Sequence, residues 1–197
     1  MVDATGIASH DRRLDPQFRK AGPEDARAIA GLHADSWRRH YRGAFSDSFL
    51  DGDVVGYLLT RWTERLSAAD PQERTIVAEL GGEVVALAHT RLGADPTWGA
   101  LLDNLHVSYE LKRLGIGTRL LALTAQAVLE SSPASGLYLW VLEQNAPAQA
   151  FYAAQGGAYV ERRAVLPPGG DPSRLNGTPM ALRYTWPDPS TLLSVAN

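Results

Sequence analysis

Two glycines, Gly115 and Gly117, stand among Lys112, Arg113 and Arg119, shortly after the strand-like stretch 101–107 and at the opening of an amphipathic helical pattern. A strand, a basic glycine turn and a helix in that order suit phosphate. A helix start leaves about four backbone N–H groups unpaired and carries about half a positive charge, and glycine lets an anion approach the backbone. The amides of Arg113, Leu114, Gly115, Ile116, Gly117 and Thr118 are the candidate cradle. A ligand-free helix start reads from the same residues, and two glycines alone do not decide between the readings. The third glycine of a dinucleotide fingerprint is replaced by Leu120, and Gly117 is followed by Thr118-Arg119 instead of Lys-Ser/Thr, so neither nucleotide motif is met.

Further on, 136–142 reads as a buried strand and runs into Glu143-Gln144-Asn145-Ala146-Pro147-Ala148-Gln149-Ala150-Phe151-Tyr152-Ala153-Ala154-Gln155-Gly156. This is a second strand-to-helix turn. Asn145 has N-cap chemistry, Pro147 suits the first helical turn, and Gly156 is placed to end the helix.

Together the two blocks resemble the GNAT superfamily of acyl-CoA-dependent N-acetyltransferases. Its signature is Arg/Gln-x-x-Gly-x-Gly/Ala after a central strand, then Asn-x-x-Ala-x-x-Phe-Tyr-x-x-x-Gly one strand later. The second pattern is met by Asn145, Ala148, Phe151, Tyr152 and Gly156. In the first, Lys112 stands where the family has Arg or Gln, which keeps a charge but loses the fork geometry. Gly157 departs too, since the family usually has a large apolar residue after that glycine.

The resemblance covers residues 17–186. It implies an α/β (α+β) GNAT acyl-CoA N-acyltransferase fold, a mixed, mostly antiparallel central sheet flanked by helices. It implies acetyl-CoA as co-substrate, held between the central strand and the strand at 137–142, which splay apart. The backbone of Leu105, His106 and Val107 would then meet the pantetheine arm, the 113–118 turn with Lys112 the pyrophosphate, and Asn145 the arm again. Tyr152 would protonate the departing thiolate. A thiol near 8.5 and a phenol near 10 make that transfer uphill by about 2 kcal/mol, within reach of a positioned donor. Backbone N–H near Val107 would stabilise the oxyanion. Without the resemblance, Asn145 reads as a helix cap and Tyr152 as a core residue.

The acceptor amine must be neutral to attack. At pH 7 a lysine-like amine must give up about 3.4 pKa units, roughly 4.6 kcal/mol, whereas an α-amino group near 8 needs about 1.4 kcal/mol. A strongly basic acceptor therefore demands a general base. Strict strand alternation puts Asp103 on the side of Leu105 and Val107 and makes it one candidate; Glu143, at the end of the neighbouring strand, is the other. Both also read as solvated or ion-paired carboxylates. Ile29, His33, Trp37 and Tyr41 recur every four residues on one helical face. The stretch 33–43 is similar to the first helix of a bacterial subset of the superfamily, where that helix borders the acceptor site. The similarity implies that His33, Trp37 and Tyr41 line it, with Asp35 or Asp47 drawing in a cationic amine. The plain alternative is a buried helix face.

The pattern predicts a first strand at 18–21 and a helix opened by Pro23-Glu24-Asp25. A helix over 54–68 follows, then strands 74–80 and 84–91 joined by Gly81-Gly82. The last strands, 158–165 and 179–186, flank a loop at 166–178 expected to form no packed element, to be mobile and to order over the acceptor. A chain of 197 residues, 45% apolar and 21% charged, suits one globular domain. Its expected bounds are 17–186, between a flexible segment 1–16 and a tail 187–197. A net charge of −3 offers no general attraction to nucleic acid or an anionic membrane. With no cysteine, disulfides, thiolate metal sites and a cysteine nucleophile are excluded, and no metal is expected. No signal-peptide or membrane-length apolar run is found, so a cytoplasmic protein is the default; a homodimer is left open. The functional reading is acetyl transfer from acetyl-CoA to a primary amine of a small molecule or peptide. A non-catalytic acyl-CoA-binding module of the same fold is the alternative, and a nucleotide-binding protein the third.

Overall fold

Gly81 and Gly82 have φ of +61° and +88°, the backbone that a two-residue hairpin demands and that side chains resist. They fold β2 (Glu73–Leu80) onto β3 (Glu83–Asp95), with Leu80 opposite Glu83. The computed structural model describes residues 15–196. With β1 (Gln17–Lys20), β4 (Gly99–Val107), β5 (Leu137–Leu142), β6 (Ala158–Ala164) and β7 (Met180–Trp186), the sheet runs β1-β2-β3-β4-β5-β7-β6. All neighbours are antiparallel except β4 and β5.

Helices cover both faces. On one, α1 (Ala26–His40) and α3 (Val54–Ala68) bury Ile29, Ala30, Leu58 and Trp62 against Val77 and Leu87. On the other, α4 (Ile116–Ser131) buries Leu120 and Leu121 against Ala86, Ala88, Leu137 and Leu139. The carboxylate of Asp53 accepts from the Gly56 amide at 2.9 Å and so caps α3. A short α2 (Asp47–Asp51), absent from the sequence reading, lies between them.

The parallel pair is short. Only Ala100 with Leu137 and Leu101 with Tyr138 are in register, after which β4 and β5 part. The divergence follows a bulge in β4: Thr90 pairs with Leu102 while its neighbour His89 pairs with Asn104, leaving Asp103 as an extra residue.

Two expectations change. The loop at 166–178 holds two short 3-10 turns, Pro168–Gly170 and Pro172–Arg174. It is stitched to the connection between α1 and α2 through Ser46 N–H to the Arg174 carbonyl (3.0 Å), Asn176 N–H to the Ala44 carbonyl (2.8 Å) and a Phe45–Leu175 bridge. The Arg174 guanidinium lies 4.5 Å from the Tyr57 ring centroid. Neighbouring backbone therefore satisfies this loop, and it is a packed element. Packing also continues past Trp186, because Leu192 is buried against α4. Of the segment 1–16, residues 1–14 lie outside the described residues.

Gly157 has a physical reason. A Cβ there would sit 2.7 Å from the Trp186 ring and 2.9 Å from the Tyr152 carbonyl, so the indole of β7 fills the space a large residue would take. That indole donates to the Gln155 carbonyl at 2.9 Å. Gly157→Ala is expected to cost about 1–3 kcal/mol by overpacking. Chemical denaturation of Gly157→Ala, Trp186→Leu and the double variant should give a double loss smaller than the sum of the singles; strict additivity would separate the two residues.

Candidate active site

The parting of β4 and β5 opens a cleft of about 740 Å³. Leu105 and Val107 project to the α4 side of the sheet, where they pack against the core. At one end lies the basic turn. Arg113 has φ of +68° and Gly115, the N-cap of α4, +80°; a left-handed non-glycine residue costs about 1–2 kcal/mol. With no side-chain cap at Gly115, the first-turn amides of α4 have no intrahelical partner. A Cβ at Gly117 would lie 3.5 Å from Phe151 and 3.7 Å from Val107, so a methyl fits there in ordinary contact. The Leu114 side chain is exposed and that of Ile116 is in the core, and neither residue is part of the cleft lining. Lys112 Nζ donates to His40 Nε2 at 2.8 Å. Burial lowers the pKa of both, and each is lowered further by a nearby cation, Arg39 for Lys112 and Lys112 for His40.

Facing the turn stands α5 (Ala146–Ala154), capped by Asn145, whose side chain accepts from the Ala148 amide at 3.3 Å. Asn145, Phe151 and Tyr152 line the cleft. The Tyr152 ring is buried near Phe151, Tyr184 and Trp186, and no hydrogen bond of its hydroxyl is found among the described residues. Burial first, then Tyr41, pushes its pKa above the usual phenol value.

The two carboxylates fare differently from expectation. The bulge resets the alternation, so Asp103 does not share a side with Leu105 and Val107. It turns toward α3, where Arg65 Nη2 meets it at 2.9 Å, while keeping an edge on the cleft. Glu143 pairs with Arg162 at 2.7 Å and lines a separate polar cavity of about 330 Å³ beside Gly43 and Asn176. Neither is a free base.

Of the aromatic stripe, only Tyr41 lines the cleft. His33 is buried, 4.6 Å from the Trp37 ring, and accepts from Trp62 Nε1 at 3.1 Å. Trp37 packs among Phe45, Phe49 and Tyr57. That correction follows from helix geometry: the apolar stripe faces the protein interior. The cleft instead takes Ser36 and His40, one position round the helix and also four residues apart, a polar pair the sequence reading passed over. His106 lies opposite Leu87 and so faces α1; its Nδ1 is 2.9 Å from Ser36 Oγ and its ring centroid 4.4 Å from that of His33. Its backbone had been expected to matter, and its side chain lies at the α1–β4 seam as well.

Among the described residues no group of His, Asp or Glu is arranged to hold a metal, and no helix is long and apolar enough to cross a membrane.

Residues 11–157 match the Acetyltransferase (GNAT) family. A probable N-acetyltransferase of Mycobacterium tuberculosis is 30% identical over 144 residues, 69% of this chain and 76% of that protein. An N-alpha-acetyltransferase of Sulfurisphaera tokodaii is 32% identical over 118 residues, 60% of this chain and 58% of that protein. In fold, the PaiA N-acetyltransferase of Thermoplasma acidophilum, solved with coenzyme A, is similar at a TM-score of 0.67 and 17% identity, over 88% of this chain and 100% of that one.

Burial holds His106 down to about 4 and His33 well below the usual 6.5. Between those values the unfolded chain binds protons that the folded chain refuses, so stability rises with pH across the window and is lost as pH falls from about 6.5 toward 4. The loss at pH 4 should reach about 3 kcal/mol for a fully depressed imidazole. Denaturation midpoints across that range should fall for the wild type and fall less steeply for His106→Gln. A wild-type midpoint flat to pH 4 would mean that the imidazoles titrate freely.

Proposed function

The chain belongs to the Acetyltransferase (GNAT) family, whose reaction is acetyl transfer from acetyl-CoA, and we propose that it acetylates a primary amine of a small molecule or peptide by direct attack. One observation carries this reading: one cleft between β4 and β5 is lined both by the basic turn and by Tyr152. The residues fit the co-substrate. Left-handed backbone at Arg113 and Gly115, the shallow floor at Gly117 and the uncapped start of α4 suit a pyrophosphate. The unpartnered edges of β4 and β5 suit an amide-bearing arm, with Asn145 at its end.

When bound, the thioester supplies the carbonyl carbon and a thiolate leaving group. Tyr152 holds a proton on its hydroxyl at the buried end of the cleft and gives it to the departing sulfur. Because burial raises its pKa, it stays loaded with that proton at ordinary pH. Backbone N–H near Val107 faces the developing oxyanion. Lys112 supplies charge at the phosphate end, as a point charge and not a fork.

The alternative is a non-catalytic acyl-CoA-binding module, and one observation favours it: Asp103 and Glu143 are both engaged with arginines. The free Tyr152 hydroxyl favours the enzyme.

Acetyl-CoA and CoA are expected to raise the melting temperature while ATP and NAD do not. Gly117→Ala should keep that shift, and Gly117→Asp should lose it by crowding and repelling the pyrophosphate. An unchanged shift in Gly117→Asp would remove the turn from the site. Tyr152→Phe should lower kcat by about 10- to 10⁴-fold with little change in CoA affinity. Wild-type kcat in that variant would return Tyr152 to the core.

A further inference from the structure

The acceptor side of the cleft is defined by its charges. Among the described residues its lining holds one carboxylate, Asp103, and that is tied to Arg65 at 2.9 Å; Asp35 pairs with Arg39 at 2.7 Å, and Asp47 and Asp51 share Arg42, all outside the lining. On the rim, Lys112 and His40 add a positive charge and no negative one. A protonated or polycationic amine finds no unpaired carboxylate in this lining, and it meets Lys112 as a like charge.

What the wall does offer is neutral. Ser36 from α1 and His106 from β4 both line the cleft and lie 2.9 Å apart, Oγ to Nδ1. The groups facing this pair are His33 and His40 from α1, Asp103 from the bulge of β4, and Lys112 from the phosphate turn. His106 Nε2 is buried without a hydrogen-bond partner. The imidazole therefore sits against a mostly apolar, net-uncharged surround, reached from the cleft through the half-buried serine hydroxyl.

We propose that the acceptor is a weakly basic α-amino group, as on an amino acid or a peptide N-terminus, and that Ser36 relays its proton to His106. This rests on the acetyltransferase reading above and narrows it. At pH 7 about 1 in 10 of amines with pKa near 8 is neutral, against about 1 in 2,500 for a lysine-like amine at 10.4. A site without a free carboxylate selects the first. The amine nitrogen forms its bond to the thioester carbonyl carbon. Its surplus proton passes to Ser36 Oγ as the serine proton passes to His106 Nδ1. The C–S bond breaks, and the thiolate takes the Tyr152 proton. Return of the His106 proton to the Tyr152 phenolate through solvent restores both groups, and the products are the N-acetyl amine and CoA thiol. The nitrogen is far more acidic once bonded to carbon, which lets a weak base such as this imidazole receive its proton.

The full chain with acetyl-CoA is assayed for thiol release on four acceptor sets. These are peptides of varied first residue with a free N-terminus and blocked lysines, the same peptides with a blocked N-terminus and a free lysine, spermidine, and an aminoglycoside. The free N-termini should exceed the others by about 100-fold or more in kcat/KM at pH 7. Ser36→Ala should lower kcat about 10- to 100-fold with the KM for acetyl-CoA and the CoA-induced melting shift unchanged. Ser36→Thr, which keeps a hydroxyl, should restore it. Lysine or polyamine turnover matching the free N-termini would overturn the proposal, as would wild-type kcat in Ser36→Ala. A CoA-induced shift without any α-amine turnover would overturn it too. Loss of both the CoA shift and all thiol release would bring down the acetyltransferase reading with it.

Discussion

Two parallel strands that share register at two positions and then separate impose the constraint on which the rest of the molecule depends. β4 keeps its other edge on β3, and β5 keeps its own on β7, so below Leu101 and Tyr138 the facing edges carry backbone groups with no strand partner. Buried backbone donors and acceptors are almost never left unpaired. The sheet therefore either admits water along a 740 Å³ slot or presents a ladder to a ligand with amides of its own. Around that slot the chain places its one-sided groups: uncapped amides at the start of α4, the buried phenol of Tyr152, and polar residues of α1.

The bulge at Asp103 decides what faces the slot. A regular β4 would point residues 103, 105 and 107 the same way. The extra residue instead sends Leu105 and Val107 to the α4 face and His106 to the α1 face, while Asp103 turns to Arg65 of α3. One inserted residue thus divides β4 into an apolar lining for a ligand arm and a polar contact with the first helix. The same division explains why the carboxylate chosen from sequence alternation is an ion-pair partner.

Local signals were legible because their physics is local. Gly81-Gly82, Asn145-Ala146-Pro147 and Gly115 each carry a backbone requirement within a few residues, and the hairpin, the cap and the left-handed N-cap stand where those requirements put them. The order of the elements and the GNAT fold followed from these signals and the resemblance. What was illegible is set at a distance. No glycine or proline marks the bulge at Asp103, since it comes from a mismatch between two strands. Gly157 looked like a missing side chain because Trp186, which fills the space, is a strand away. The loop at 166–178 looked unpacked because its partners, Ala44 and Ser46, lie on the far side of the sequence. Periodicity found the stripe at His33 and Trp37 but carries no information on whether a stripe faces the core or a cleft. Ser36 and His40, a rotation of one residue away, gave no apolar signal at all.

Burial acts on the cleft in one direction through opposite shifts. It raises Tyr41 to about 12 and lifts Tyr152, and it lowers His106 to about 4 and depresses His40. An acid pushed up and a base pushed down both end neutral, so at ordinary pH these walls are a set of uncharged donors and acceptors. Charge among them is scarce until a reaction creates it. In a slot of low polarity a transient thiolate or ammonium interacts with such groups far more strongly than it does in water, and neutral groups fixed in place need no reorganisation to respond. The cost lies in the folded state, where a buried polar atom without a partner, such as His106 Nε2, forfeits about 1–3 kcal/mol. An apolar residue of similar size would avoid that cost, and it would also remove the proton acceptor that Ser36 reaches across the α1–β4 seam.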